Sequence, residues 1–68
     1  MPAVESSAIQ AIDYRPATRT LLVVFIDGGG YAYSGVEAST YAEFLAAESK
    51  GRFFAERVRG RYDFRKVT

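Results

Sequence analysis

The segment Thr20-Leu21-Leu22-Val23-Val24-Phe25-Ile26 constrains this chain more than any other. It is rich in β-branched and aromatic residues, which favour extended backbone. Successive side chains of a strand point to opposite faces. Leu21, Val23 and Phe25 therefore face one way, and Leu22, Val24 and Ile26 the other. An antiparallel sheet with one wet face would alternate apolar and polar residues. This strand is apolar on both sides, so each side calls for a cover.

The flanking residues set the strand's neighbours. Arg15-Pro16-Ala17-Thr18-Arg19 reads as a turn with Pro16 fixing φ at its corner. A first strand precedes it from Ser7 to Tyr14. Ile9 and Ala11 share one parity there and Ile12 and Tyr14 the other, which points to a bulge near Ala11 or a two-sided strand. Residues 1–5 read as a loose end. Asp27-Gly28-Gly29-Gly30 reads as a hairpin loop, because glycine admits the positive φ such turns use. Tyr31 to Ser34 is the returning strand, with Tyr31 and Tyr33 on one face.

Two helices are expected next. Ser34-Gly35-Val36-Glu37 has capping-box spacing, and a helix should follow to about Glu48. Its buried stripe would use Tyr41, Phe44 and Leu45. Ser49 is the expected N-cap of a second helix through about Arg59, with Phe54 and Val58 buried four apart and Gly60 as the stop. Arg61 to Thr68 reads as a loop or a short added strand. Strands grouped before helices indicate an α+β domain. The expected architecture is a three-stranded antiparallel β-meander followed by two α-helices packed on the sheet, β-β-β-α-α. Phe25, Tyr41, Phe44, Leu45, Phe54 and Val58 should meet in the core.

With 68 residues the chain is one domain. A domain this small buries only ~60% of the surface its unfolded chain exposes. Two short helices can cover one face of the sheet. A homodimer or higher oligomer through the Leu22, Val24 and Ile26 face, or through the edge beside it, is therefore expected. No basic, apolar leader is visible at the N-terminus, and the apolar run from Leu21 to Ile26 is far too short to span a bilayer. The expectation is a cytoplasmic protein with no membrane partner.

Chemistry is limited by what is missing. The chain has no Cys and no His, which removes the commonest acid–base group, the best nucleophile and the usual zinc ligands. Carboxylate pairs such as Glu43 with Glu48 have no distinguishing setting. The expectation is a protein that is not an enzyme and needs no cofactor. Charge is more informative. Residues 1–49 carry a net −4 and residues 50–68 a net +5, within an overall +1. Such asymmetry hints at an anionic partner, although a charge run is also a common solvated face.

The candidate binding residues are Tyr31, Tyr33, Lys50, Arg52, Arg57, Arg59 and Arg61. The tyrosines can stack nucleobases or pack their rings under the helices. The cations can contact phosphates, with Arg57 and Arg61 four apart on one helix face. Ser49-Lys50-Gly51 offers backbone N–H groups and a cation at a helix start, or simple capping. Asp27-Gly28-Gly29-Gly30 lacks the Gly-Lys-Ser/Thr ending of a phosphate loop.

One set of residues runs nearly end to end: Ser6-Ser7 with Ile9 and Ile12, Tyr14, Leu21 with Val23 and Phe25, Gly30, Tyr31-Ala32-Tyr33, Val36, Tyr41, Ala47, Ser49, Gly51, Phe53-Phe54, Val58-Arg59 and Tyr62. In this set the chain resembles the KTSC domain, a module at the C-terminus of some lysyl-tRNA synthetases and also a stand-alone bacterial and phage protein. It departs from that pattern at Glu37, where Pro is usual, and at Ala55, where Asn is common. The resemblance implies a small domain for which RNA binding has been suggested, and it transfers no catalytic residues. The leading expectation is a non-catalytic module that binds RNA through a basic, aromatic surface. The alternatives are sequestration of a nucleotide or nucleotide-derived signal molecule by a small oligomer, and a protein-interaction or assembly module.

Overall fold

The structure, a computed structural model, describes residues 9–67. The loose end expected at 1–5 and the first residues of the strand expected from Ser7 lie outside the described residues. Strands β1 (Ile9–Arg15), β2 (Thr20–Phe25) and β3 (Gly29–Tyr33) form the expected antiparallel meander. Helix α1 (Ala38–Ala46) and helix α2 (Lys50–Phe53) follow, and α2 runs on as a π-helical turn (Phe54–Val58). A fourth strand, β4 (Phe64–Lys66), then pairs antiparallel with β3, giving the sheet order β1-β2-β3-β4.

The fourth strand corrects the expected three-stranded β-β-β-α-α order. Gly60 reverses the chain at φ 75°, a value that side chains disfavour. The tail is then held against β3 from both ends. Ser34 N–H donates to the Asp63 carbonyl (2.9 Å), and Val67 N–H donates to the Gly30 carbonyl (2.8 Å). Without those bonds the edge groups of β3 would have to find water.

The first hairpin follows its sequence closely. The pairing of β1 with β2 slips between Ile9 and Ala11, which is the expected bulge. At the turn, Thr18 N–H reaches the Arg15 carbonyl (3.3 Å), and Arg19 takes a positive φ of 54°. The second hairpin turns through the glycine run, with Gly29 at φ 81°.

Helix α1 starts later than the Ser34–Glu37 spacing suggests. Glu37 occupies the N-cap position with extended backbone, and no side chain caps the helix. Tertiary contacts compete successfully for residues 34–36. Ser34 belongs to the sheet edge, as its bond to Asp63 shows. Val36 is fully buried; its N–H donates to the Arg19 carbonyl (2.9 Å) and its carbonyl accepts from the Tyr14 hydroxyl (2.7 Å). Tyr14 in turn stacks on Tyr41 of α1 with centroids 5.0 Å apart. Ser49 does cap as expected: its Oγ accepts the Arg52 N–H at 3.1 Å.

The core lies between one sheet face and the helices. It joins Leu21, Val23, Tyr33, Val36, Phe44, Phe54 and Val58, with Phe25 and Tyr41 half-buried at its border. Leu45 departs from expectation and is 51% exposed. Phe44 faces the sheet squarely. At 100° per residue, Tyr41 lies ~60° from Phe44 around the helix and still touches the core; Leu45 lies ~100° away and misses it. None of the helices among the described residues is long and apolar enough to cross a membrane.

Two measurements test this packing. Phe44→Ala should cost ~3–5 kcal/mol, comparable to the whole stability of so small a domain. Leu45→Ala should stay within about 0.5 kcal/mol of the parent; a thermal melt that ranks the two the other way would refute the packing. Burial raises the pKa of the Tyr33 hydroxyl above its ordinary 10.0, Tyr31 adds to the shift, and Arg59 partly offsets it. Below that ordinary value the group is protonated whether folded or unfolded, and its contribution is complete. As pH rises past it the unfolded chain releases the proton first, so stability falls. In an ultraviolet titration Tyr33 should ionise above the ordinary value, and Tyr33→Phe should remove that step and delay unfolding by base.

Candidate ligand-binding groove

The pleat places Tyr31 and Tyr33 on the helix side of the sheet, because they pair with Val23 and Leu21, which face the core. Tyr33 pairs across to Phe64 and Tyr31 to Lys66, so the side chains at positions 64 and 66 share that face. The helices cover this face only in part. Beside Phe54 an open groove of about 340 Å³ remains. Tyr31 and Tyr33 form its floor, Phe25, Phe54 and Phe64 its walls, and Gly28, Arg59 and Gly60 its rim. None of these lining residues is acidic.

The walls hold one another in place. Phe54 meets Phe25 edge-on at 5.2 Å and Tyr33 at 5.6 Å. Tyr31 meets Phe25 and Phe64, each at 5.8 Å. Such edge-to-face pairs add ~0.5–1.5 kcal/mol beyond their buried area. Tyr33 is only 5% exposed, so its ring belongs mainly to the core. Tyr31 is half-buried and Phe64 is 58% exposed; these two offer aromatic surface to a ligand.

Arg59 reaches the rim because of the π-helical turn. Its N–H bonds back to the Phe54 carbonyl at 2.8 Å, five residues earlier, and closes the wide turn. Insertions of this kind are frequent at functional sites. The guanidinium then lies 5.6 Å from the centre of the Phe54 ring. That contact is a cation–π arrangement that leaves the charge at the groove mouth.

Of the seven candidate residues, the groove brings together Tyr31, Tyr33 and Arg59. The other four are elsewhere. Lys50 Nζ donates to the Ala47 carbonyl (2.8 Å) just beyond the end of α1. Arg52 lines a separate depression in company with Glu48 and Glu56, a poor setting for an anion. Arg57 forms an ion pair with Glu43 and lies over the Phe53 ring at 5.0 Å. Arg61 does not share a helix face with Arg57, because the helical turns end at Val58 and Arg59 is already extended. The start of α2 is a single short turn capped by Ser49, so capping is what the Ser49-Lys50-Gly51 segment does here.

Phe64 lines the groove although the sequence singled out no residue of β4 for the site, and Lys66 shares its face of the sheet. The alternation Tyr62, Phe64, Lys66 is a strand signal, but three residues are too few to stand out from loop. Among the described residues no cluster of three metal-ligating side chains occurs.

The family model described as KTSC domain matches residues 5–62. A protein of Tsukamurella paurometabola is 44% identical over 62 residues, covering 91% of this chain and 92% of that protein. A lysine–tRNA ligase of Nostoc sp. is 33% identical over 94% of this chain, and one of Nostoc punctiforme is 31% identical over the same share; this chain spans only 11% of either ligase. The crystal structure of a KTSC domain protein from Yersinia pestis superposes with a TM-score of 0.91 at 40% identity, covering 93% of this chain and 89% of that one. From Tyr31-Ala32-Tyr33 through Phe53-Phe54 to Tyr62, the residues that build the floor, one wall and the approach to the rim lie within the family match, and the chain belongs to the KTSC domain family.

Proposed function

We propose that this domain is a non-catalytic binding module for single-stranded RNA, with the aromatic groove receiving one unstacked base. The observation that carries the reading is the convergence of Tyr31, Phe64 and Arg59 on one open groove whose lining has no carboxylate. An aromatic surface accepts any base face and is worth ~1–3 kcal/mol per base. Double-stranded RNA hides its base faces in the stack, whereas single strands can splay them out. Arg59 at the mouth, Lys66 on the same face, and Arg61 nearby in the chain supply cations for flanking phosphates. Arginine suits this task because it can fork to phosphate and stack on bases.

Two further facts agree with the reading. Two relatives are named lysine–tRNA ligases, and tRNA is the partner their name specifies. The chain has neither Cys nor His, which fits binding better than catalysis. A volume of about 340 Å³ lies at the small end of ligand sites (~300–1,000 Å³). That size also admits a mononucleotide, so the experiment must separate the two ligands.

Titration of the protein with a short labelled oligoadenylate at low and at moderate salt makes that separation. Binding should be micromolar or weaker and should fall with salt by a log–log slope of about −0.7 per phosphate contact. Arg59→Glu with Lys66→Glu should weaken it at least ~tenfold and flatten the slope. Tyr31→Leu should weaken it with the slope unchanged, since stacking releases no counterions. Arg52→Glu, remote from the groove, should leave it as it was. Adenosine monophosphate binding as tightly as the oligomer would replace the RNA reading with nucleotide capture; no binding of either would overturn both.

A further inference from the structure

The helices pack on one face of the sheet, through Phe44, Phe54 and Val58 against Leu21, Val23 and Tyr33. No described element lies on the opposite face. Its residues follow from the strand register. One row across the sheet reads Asp13, Leu22, Ala32, Arg65 from β1 to β4. The next reads Ala11, Val24, Gly30, and the bond from Val67 N–H to the Gly30 carbonyl places Val67 at its end. Leu22 and Val24 are only half-buried, and Val67 is 45% exposed.

These rows have a polarity. Asp13 and Arg65, both exposed, sit at opposite ends of the first row with apolar residues between. Three inter-strand spacings of ~4.8 Å separate them by ~14 Å, too far to pair within one chain. Side-chain size is polarised too. In the first row the large Leu22 stands beside the small Ala32, and in the second Val24 stands beside Gly30.

We infer that this face is a docking surface for a second copy of the chain, stacked sheet on sheet about a two-fold axis parallel to the strands, between β2 and β3. That operation lays β1 over the partner's β4. Asp13 then faces the partner's Arg65, and by symmetry Arg65 faces the partner's Asp13. Leu22 meets the partner's Ala32 and Val24 the partner's Gly30, so each large side chain enters a recess left by a small one. Ala11 meets the partner's Val67 in the same way. Aligned sheets pack face to face at ~10 Å, which this large-on-small order permits. A two-fold axis across the strands would instead lay β4 over the partner's β4, bringing Arg65 toward its own copy and large residues over large. The apolar part of these rows is short and rich in small residues (Ala11, Gly30, Ala32), whereas a standard interface takes ~800 Å² from each partner. The dimer is therefore concentration-dependent. It leaves the aromatic groove of each copy on the outside.

Sedimentation across a concentration series, with Asp13→Arg, Arg65→Asp and the double exchange, tests the register. The parent should dimerise as concentration rises. Each single exchange sets like charges opposite each other twice and should raise the dimer dissociation constant at least ~tenfold, because like-charge juxtaposition is strongly unfavourable. The double exchange should restore the parent's value. Circular dichroism should show the fold unchanged in all three, since both positions are exposed. A parent monomeric at every concentration overturns the inference, as does a dimer indifferent to the single exchanges or a double exchange that fails to rescue.

Discussion

The packing of Phe54 against Phe25 and Tyr33 is the contact on which the helix, the sheet and the groove all depend. Phe54 is buried and meets both rings edge-on. The π-helical turn begins at this residue and ends at Val58, which is also fully buried. Phe54 and Val58, four apart, share the core side of the helix, and the wider turn closed by the Arg59 N–H delivers Arg59 to the rim. The outer side of the same aromatic wall then lines the groove. Core and candidate site are therefore two sides of one layer of rings, and a substitution in that layer acts on both.

A second constraint sits at the opposite end of the sheet. Val36 has both backbone polar groups bonded to the first hairpin, to the Arg19 carbonyl and the Tyr14 hydroxyl. Those bonds fix where the chain leaves the sheet and hence where α1 can start. The result is asymmetric. Both helices are committed to the face of Leu21 and Val23, and the face of Leu22 and Val24 keeps no described cover. For a domain whose core is this small, closing that face with another copy would add burial that the chain alone does not supply.

Charge shows how much a count can conceal. The net +5 of residues 50–68 reads as one basic segment. In three dimensions part of it is committed locally: Arg57 pairs with Glu43, Lys50 bonds the Ala47 carbonyl, and Arg52 shares a depression with Glu48 and Glu56. Arg59 and Lys66 remain on the groove side, and Arg65 on the opposite face. The basic tail thus serves both faces of the sheet, with alternate residues of β4 directed to each.

What the sequence determined by itself was everything set by near neighbours. The two-sided strand at Thr20–Phe25, the Pro16 turn, the glycine hairpin, the shift of register near Ala11, the Ser49 cap and the common face of Tyr31 and Tyr33 are all legible from propensity and parity. Likewise the family was legible from spacing. The tertiary structure alone decided whatever depends on partners far along the chain. Phe64 to Lys66 is a strand because Gly30 and Ser34 offer it bonds, and Ser34 caps no helix because Asp63 holds it in the sheet. Leu45 is exposed because α1 meets the sheet through Phe44, and Arg57 and Arg61 diverge because the helical turns stop at Val58. Each of these outcomes is a competition between a local preference and a distant hydrogen bond or packing contact, and local sequence carries only one side of it.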